Sequence, residues 1–250
     1  MRTADWYAKH DWSVTPDEEA QLLRLIDSIA ALPDPRRKDL ERLLRRFPRE
    51  RGQFSKDQLV IAYRHFCDNG QLTFDAEVLR RLQMKPTRTL SGVATVTVLT
   101  KPFPCPGECI FCPTDVRMPK SYLHDEPGAS RAASHGFDPY FTTLSRLRAL
   151  DNIGHATDKI ELLILGGTWS YYAQDYQAWF IKRCFDALNG VDAATLEEAH
   201  VLNETAEHRN VGLVIETRPD YIDADEVRRL RGYGVTKVQL GAQSCDDAIL

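Results

Sequence analysis

Residues 93–112 read VATVTVLTKPFPCPGECIFC, a β-branched run followed at once by a loop that holds three cysteines. Side chains branched at Cβ favour extended backbone, so 93–100 is expected as a strand. Three further strands follow from the same pattern: KIELLILGG at 159–167, VGLVIETR at 211–218 and KVQLGAQS at 237–244. Helical stretches fall between them, at about Pro139–Leu150, 175–188 and 195–208, and Asp223 with Glu226 has capping-box spacing for a short helix that Gly234 closes. Strands alternating with helices predict an α/β fold built on a parallel sheet, either an open sheet or part of a barrel.

Upstream of this region the pattern is helical. DEEAQLLRLIDSIAAL at 17–32 places Leu22, Leu25, Ile26 and Ile29 on one face before Pro33 and Pro35 stop it, and a second helix is expected over Arg37–Phe47. Ser55 and Gln58 have the spacing of a capping box for a third, with Phe54 and Leu59 as its hydrophobic staple. Residues 1–88 are thus expected as a small helical domain and 89–250 as the sheet domain. A new helix is expected to start at CDDAIL, and Leu250 arrives without a cap, so the expectation is a chain that stops inside its second domain.

At 250 residues, with 43% hydrophobic and 27% charged side chains, the chain is long enough for a substantial core. It has no long apolar run, and Met1–Trp12 mixes polar and aromatic residues instead of forming a basic-then-apolar leader. A cytoplasmic protein without membrane contact is expected. The net charge of −4 conceals two surfaces: residues 1–90 carry 17 Lys+Arg against 14 Asp+Glu, whereas 91–250 carry 15 against 22. RRKDLERLLRRFPRER, Arg36–Arg51, has eight basic and three acidic residues. With Arg80, Arg81, Lys85 and Arg88 it is the candidate surface for a phosphate backbone, a solvated helix face being the alternative.

The cysteines carry the chemistry. Cys105, Cys109 and Cys112 lie within eight residues, after the first strand, where ligand sites of parallel α/β folds are found; Cys67, Cys184 and Cys245 stand alone and are expected as ordinary buried thiols. Three thiolates can ligate three irons of a four-iron cluster and leave the fourth open, whereas an electron-transfer cluster takes four cysteines. The alternative is a zinc site completed by His124 or His135, although zinc motifs bring cysteines as CxxC pairs and only Cys109 with Cys112 forms one.

CxxxCxxC after a first strand resembles the radical S-adenosylmethionine superfamily. KPTRTLSGVATVTVLTKPFPCPGECIFCP (Lys85–Pro113), MPKSYLHDEPGASRA (Met118–Ala132), ILGGTW (Ile164–Trp169), IETRPDY (Ile215–Tyr221) and QLGAQS (Gln239–Ser244) resemble the Elongator catalytic-subunit family, over about residues 15–250. The resemblance implies a partial parallel (β/α) barrel, a [4Fe-4S] cluster on Cys105, Cys109 and Cys112, and S-adenosyl-L-methionine bound at the open iron. Gly166 and Gly167 resemble the superfamily's turn whose backbone meets the cofactor's amino group, with Thr168 where that turn has Glu; a tight strand-to-helix turn is the alternative. Glu216 and Arg218 share a face at a strand end and could hold the cofactor's ribose or amino group and its carboxylate, or form an ion pair capping the sheet. Gln243 resembles a position facing the ribose, or hydrogen-bonds to nearby backbone. Lys101 could meet a coenzyme A or tRNA phosphate, or be a solvated lysine. SYLHDEPGASRA, with Asp125, Glu126, Gly128 and Arg131, is expected as a loop beside the site.

The activity implied is transfer of a carboxymethyl-type group from acetyl-CoA to the wobble uridine of tRNA, an acyltransferase-class modification of the anticodon stem-loop. The family's acetyltransferase-like domain lies downstream of the matched part, so these 250 residues are not expected to transfer acetyl groups alone. A homo-oligomer or assembly with other subunits is compatible with the resemblance. Two other readings stay open: a different radical enzyme on the same fold, such as a methylthiotransferase or porphyrin oxidase, and a nucleic-acid-binding module with structural zinc or a closed cluster.

Overall fold

The computed structural model describes residues 14–33, 35–48, 52–107, 109–110, 112–113 and 115–246. The chain divides into two compact units, 1–88 with 150–155, and 89–149 with 156–250.

The first unit is helical. Helix α1, Pro16–Ala30, opens with the Thr15 hydroxyl accepting from the Glu18 N–H while Glu18 accepts from the Thr15 N–H, so two amides without helical partners are satisfied reciprocally. Its Leu22, Leu25, Ile26 and Ile29 are buried as the spacing predicts, against Leu59, Tyr63 and Phe66 of α3, Lys56–Asp68 (α2 is Arg37–Leu44). Each such side chain contributes roughly 1.5–3 kcal/mol on burial. Helix α2 ends three residues before the expected Phe47, where Arg45 and Arg46 turn the chain ahead of Pro48. A fourth helix, α4, Ala76–Leu82, adds Val78 and Leu82 to the core.

The second unit holds four parallel strands in the order β1-β2-β3-β4: Ala94–Leu99, Lys159–Leu165, Arg209–Thr217 and Lys237–Leu240. The order never turns back, as it must at the switch point of a doubly wound sheet, so the strands form an arc of the barrel type. Along β1 and β2 alternate residues are fully buried, Ala94, Val96 and Val98 beside Ile160, Leu162 and Ile164, while the intervening Thr95, Thr97, Glu161 and Leu163 are only half-covered. Helices α5 (Pro127–Ser134), α6 (Pro139–Asn152), α7 (Gln174–Asn189), α8 (Leu196–Asn203) and α9 (Ala224–Gly232) lie in sequence between the strands.

Further expectations are corrected. Residues 127–134 are a helix, not a loop: Pro127 takes the first turn, where its missing N–H is not needed, and Ala129 and Ala132 pack under Leu99 and Met118. Helix α8 stops at Asn203, whose side chain donates to Asn189 Oδ1 and the His208 carbonyl and accepts from the Asn210 N–H, turning the chain into β3. Strand β4 ends at Leu240, four residues early. Within the expected helix at CDDAIL, Cys245 and Asp246 are not helical and the remainder lies outside the described residues.

Candidate functional site

The carboxyl ends of β1, β2 and β3 are adjacent because the strands are parallel and in register: Leu99 pairs with Leu165, and Ile164 with Ile215. Three loops therefore meet there. The Thr100 N–H still bonds to the Leu165 carbonyl at 2.9 Å before the chain departs into the cysteine loop.

Gly166 and Gly167 leave β2 at φ 134° and 87°, backbone that side chains rarely tolerate. A Cβ on Gly166 would lie 1.9 Å from Thr100 Oγ1, whereas one on Gly167 would make only ordinary contact with Lys120 Cβ at 3.4 Å, so there the backbone angle is what favours glycine. The Gly166 carbonyl is held by the Thr100 hydroxyl at 3.1 Å and the Tyr172 hydroxyl at 2.9 Å. Tyr172 is also 2.8 Å from the Lys101 carbonyl, and burial pushes its phenol up to about 12.

Each cysteine thiol meets a different polar group. Cys105 Sγ is 3.4 Å from the buried Thr168 hydroxyl, Cys109 Sγ accepts from Arg218 Nη1 at 3.3 Å, and Cys112 Sγ is 3.1 Å from the Ser121 hydroxyl. Gly107 makes the second contact possible, because its missing side chain is where the Arg218 guanidinium lies, 1.8 Å from a notional Cβ. The opposite edge of that guanidinium is bidentate to Asp220, at 2.9 and 2.7 Å, which holds the Arg218 pKa above and the Asp220 pKa below their ordinary values. Arg218 is thus both beside the cysteines and in an ion pair. Glu216 accepts from the Tyr122 hydroxyl at 3.1 Å; burial first, and then this carboxylate, raise the phenol's pKa.

Cys105, Cys109 and Cys112, Gly166, Gly167 and Thr168, and Glu216 with Arg218 are therefore brought into one neighbourhood. Lys101 borders it, its backbone N–H donating to the Tyr176 hydroxyl and its ammonium lying 4.5 Å from the centre of that ring. Gln243 sits on the exposed loop after β4, at φ 60°, and shares no hydrogen bond with these residues. Among the described residues no three His, Cys, Asp or Glu side chains are gathered as a metal-ligand set; Glu108, Phe111 and Thr114 of the cysteine loop lie outside them. His124 is exposed, and His135 caps the end of α5, where burial lowers its pKa. Cys184 is fully buried and Cys67 half-buried, but Cys245 is exposed, contrary to expectation.

Sequence reading missed the turn at 119–122. Lys120 lies against Gly167, Ser121 reaches Cys112, and Tyr122 reaches Glu216, with Ser121 in left-handed backbone at φ 78°. The signal present was the Pro-Lys-Ser tripeptide just past the cysteines, which marks a turn without saying what it touches.

In the first unit Lys38, Arg42, Arg45 and Arg46 are exposed, while Arg49 and Arg51 lie outside the described residues. Arg81 is turned inward onto the carbonyls of Ile29, Ala30 and Leu32, capping α1, and Arg80 pairs with Glu77. The expected phosphate surface is thereby reduced, among the described residues, to Arg36, Lys38, Arg42, Arg45 and Arg46 on and beside α2, with the exposed Lys85 and Arg88.

Among the described residues no helix is long and apolar enough to cross a membrane. No protein-family model matches the chain. Among characterised proteins it is 51% identical over 175 residues to a tRNA uridine(34) acetyltransferase of Methanocaldococcus jannaschii, covering 68% of this chain and 32% of the relative. It is 52% identical over 165 residues to one from Dehalococcoides mccartyi, covering 66% and 36%. With Elongator complex protein 3 of Drosophila melanogaster it shares 35% over 178 residues, covering 67% and 32%. The solved structure of Methanocaldococcus infernus Elp3 lacking residues 1–46 aligns with a TM-score of 0.51 at 42% identity, covering 64% of this chain and 30% of that one. The chain spans about a third of the length of these relatives. With this identity and an arc of parallel strands of the same type, the chain belongs to the Elongator catalytic-subunit family.

Proposed function

We propose that this chain carries the cluster-binding and S-adenosylmethionine-binding part of an enzyme that modifies the wobble uridine of tRNA. The observation that carries the reading is the meeting of the three-cysteine loop, the Gly166–Thr168 turn and the Glu216–Arg218 strand end at adjacent parallel strands. The names of the relatives, tRNA uridine(34) acetyltransferase among them, support the substrate.

The residues present fit a [4Fe-4S] cluster by the chemistry of their donors. Three thiols come from one loop, and the groups that now touch them, two hydroxyls and a guanidinium, are donors equally suited to thiolates and cluster sulfurs. Cys105, Cys109 and Cys112 would ligate three irons. The backbone at Gly166 and Gly167, kept clear of side chains, and Thr168 would border the amino-acid end of S-adenosylmethionine. Glu216, oriented by Tyr122, would accept from its ribose or amino group, and Arg218 would face its carboxylate if the guanidinium turned from Asp220. Gln243 and Lys101 are the weaker members of this set, contacting ribose and phosphate respectively.

When bound, such a cluster supplies one electron for reductive cleavage of the sulfonium. The chain's own residues would hold the cofactor in place at the strand ends. The overall outcome in this reading is a carboxymethyl-type group on the wobble base with acetyl-CoA as co-substrate, in the cytoplasm. The tRNA phosphates would meet Lys38, Arg42, Arg45 and Arg46, making 1–88 the tRNA-binding domain and 89–250 the radical domain.

Anaerobic reconstitution tests the proposal. About four irons per chain, together with cleavage of S-adenosylmethionine to 5'-deoxyadenosine under a strong reductant, is the expected result. One zinc, held without cleavage, would instead make the chain a nucleic-acid-binding module.

A further inference from the structure

Phe103 is an apolar residue in the cysteine loop that the reading above leaves without a task. It stands between Pro102 and Pro104, and a residue before proline is confined to extended backbone, so the main chain that carries its ring has little freedom. One face is backed by Tyr172, with ring centroids 4.7 Å apart and planes inclined by 27°. Tyr172 cannot give way easily, since its hydroxyl is held by the Gly166 and Lys101 carbonyls. Phe103 is 36% exposed overall and lines a cavity of about 430 Å³ shared with Cys105, Met118 and Lys120. Tyr171, 41% exposed, stands beside it with centroids 6.0 Å apart and planes at 58°, and is itself braced edge-on by Tyr221 at 5.7 Å.

A ring destined only for the core would be covered on both faces. This one is stiffened from behind and from the side and left open beside a thiol, in a cavity within the size range of small-molecule sites. A flat aromatic shelf with a lysine at the same cavity suits a planar heteroaromatic base attached to a charged backbone or side chain.

We propose that Phe103 is a stacking shelf for a nucleobase entering the site. The inference rests on the proposed function and deepens it: the base is either the unstacked uracil of an RNA loop or the adenine of the cofactor, and the chemistry of recognition is the same for both. Stacking on an aromatic ring carries a factor of about 5 to 150 in affinity.

The test uses the full chain, anaerobically reconstituted, with two variants. Phe103→Leu keeps apolar volume and loses the π face, whereas Phe103→Trp enlarges it. Binding of a labelled uridine-containing anticodon stem-loop is followed by anisotropy, and binding of S-adenosylmethionine by equilibrium dialysis. Phe103→Leu should weaken one of the two by about 5-fold or more while Phe103→Trp binds as tightly as the parent or better, and the probe affected identifies the base. The proposal is overturned if Phe103→Leu binds both probes as the parent does, if Phe103→Trp loses as much as Phe103→Leu, or if the parent binds neither. A parent chain that binds S-adenosylmethionine but no RNA would refute the RNA substrate and still decide the shelf through the adenine arm.

Discussion

Replacing Gly166 by alanine should unfold the sheet unit far more readily than a single methyl suggests. Two terms add. At φ 134° an L-residue sits in a region that costs on the order of 1–3 kcal/mol. The new Cβ would lie 1.9 Å from Thr100 Oγ1 and 3.1 Å from the Thr100 backbone nitrogen, so the hydroxyl must leave. Its departure breaks its contacts with the Gly166 carbonyl at 3.1 Å and the Tyr172 hydroxyl at 2.8 Å, each worth about 1 kcal/mol inside a protein. The sum is roughly 3–5 kcal/mol, which for a unit of this size lowers the melting temperature by about 6–20 °C. Thermal and urea unfolding monitored by circular dichroism measure it. Thr100→Ala alone loses only the hydroxyl contacts, and in Gly166→Ala/Thr100→Ala the 1.9 Å overlap is gone while the φ penalty and the 3.1 Å approaches to the residue-100 Cβ and backbone nitrogen stay. The double variant should therefore be less destabilised than the sum of the singles by about 1–2 kcal/mol. A Gly166→Ala chain within about 1 kcal/mol of the parent, or strictly additive singles, would refute the account of this turn.

Gly107→Ala should behave in the opposite way. The side chain it collides with is the flexible end of Arg218, so stability is expected to stay within about 1 kcal/mol, while the guanidinium moves off Cys109 and iron retention or S-adenosylmethionine affinity drops several-fold. Unchanged iron content and cofactor binding, measured after reconstitution, would count against the arginine's place beside the cysteines. For Tyr172, a phenol raised by burial from 10.0 to about 12 contributes stability that is complete below pH 10 and is lost as pH rises through 12. That amounts to roughly 3 kcal/mol at about 1.4 kcal/mol per pKa unit. Urea unfolding between about pH 9 and 11 should show a smaller loss of stability with pH in Tyr172→Phe than in the parent; equal slopes would mean the hydroxyl is not buried in solution.

Much of this architecture was legible because local chemistry and tertiary environment agree. The buried face of α1, the capping box at Ser55 and the one-way cap of Asp223 on the Glu226 N–H follow from spacings of three and four residues, and β1 and β3 from β-branched runs. Helix α5 was hidden because Pro127 and Gly128 advertise a loop, and only the packing of Ala129 and Ala132 under Leu99 overrides that signal. In the site, the cysteine spacing and the glycine pair could be found, since each motif lies within one short segment. What could not be found were contacts between segments far apart in sequence: Tyr122 with Glu216, Gly107 with Arg218, and Arg81 with the end of α1. Arg81 reads as one more surface cation until the carbonyls it caps are known.

The turn at Lys120–Tyr122 ties two other stretches of chain to consecutive residues and packs beside a third. Its middle residue holds a left-handed backbone that serine adopts only at some cost, and that one backbone setting places Ser121 at a thiol and Tyr122 at a carboxylate. The thiol and the carboxylate at the mouth of the arc are thus positioned by neighbouring residues of one turn, so substitutions there should alter several binding properties at once.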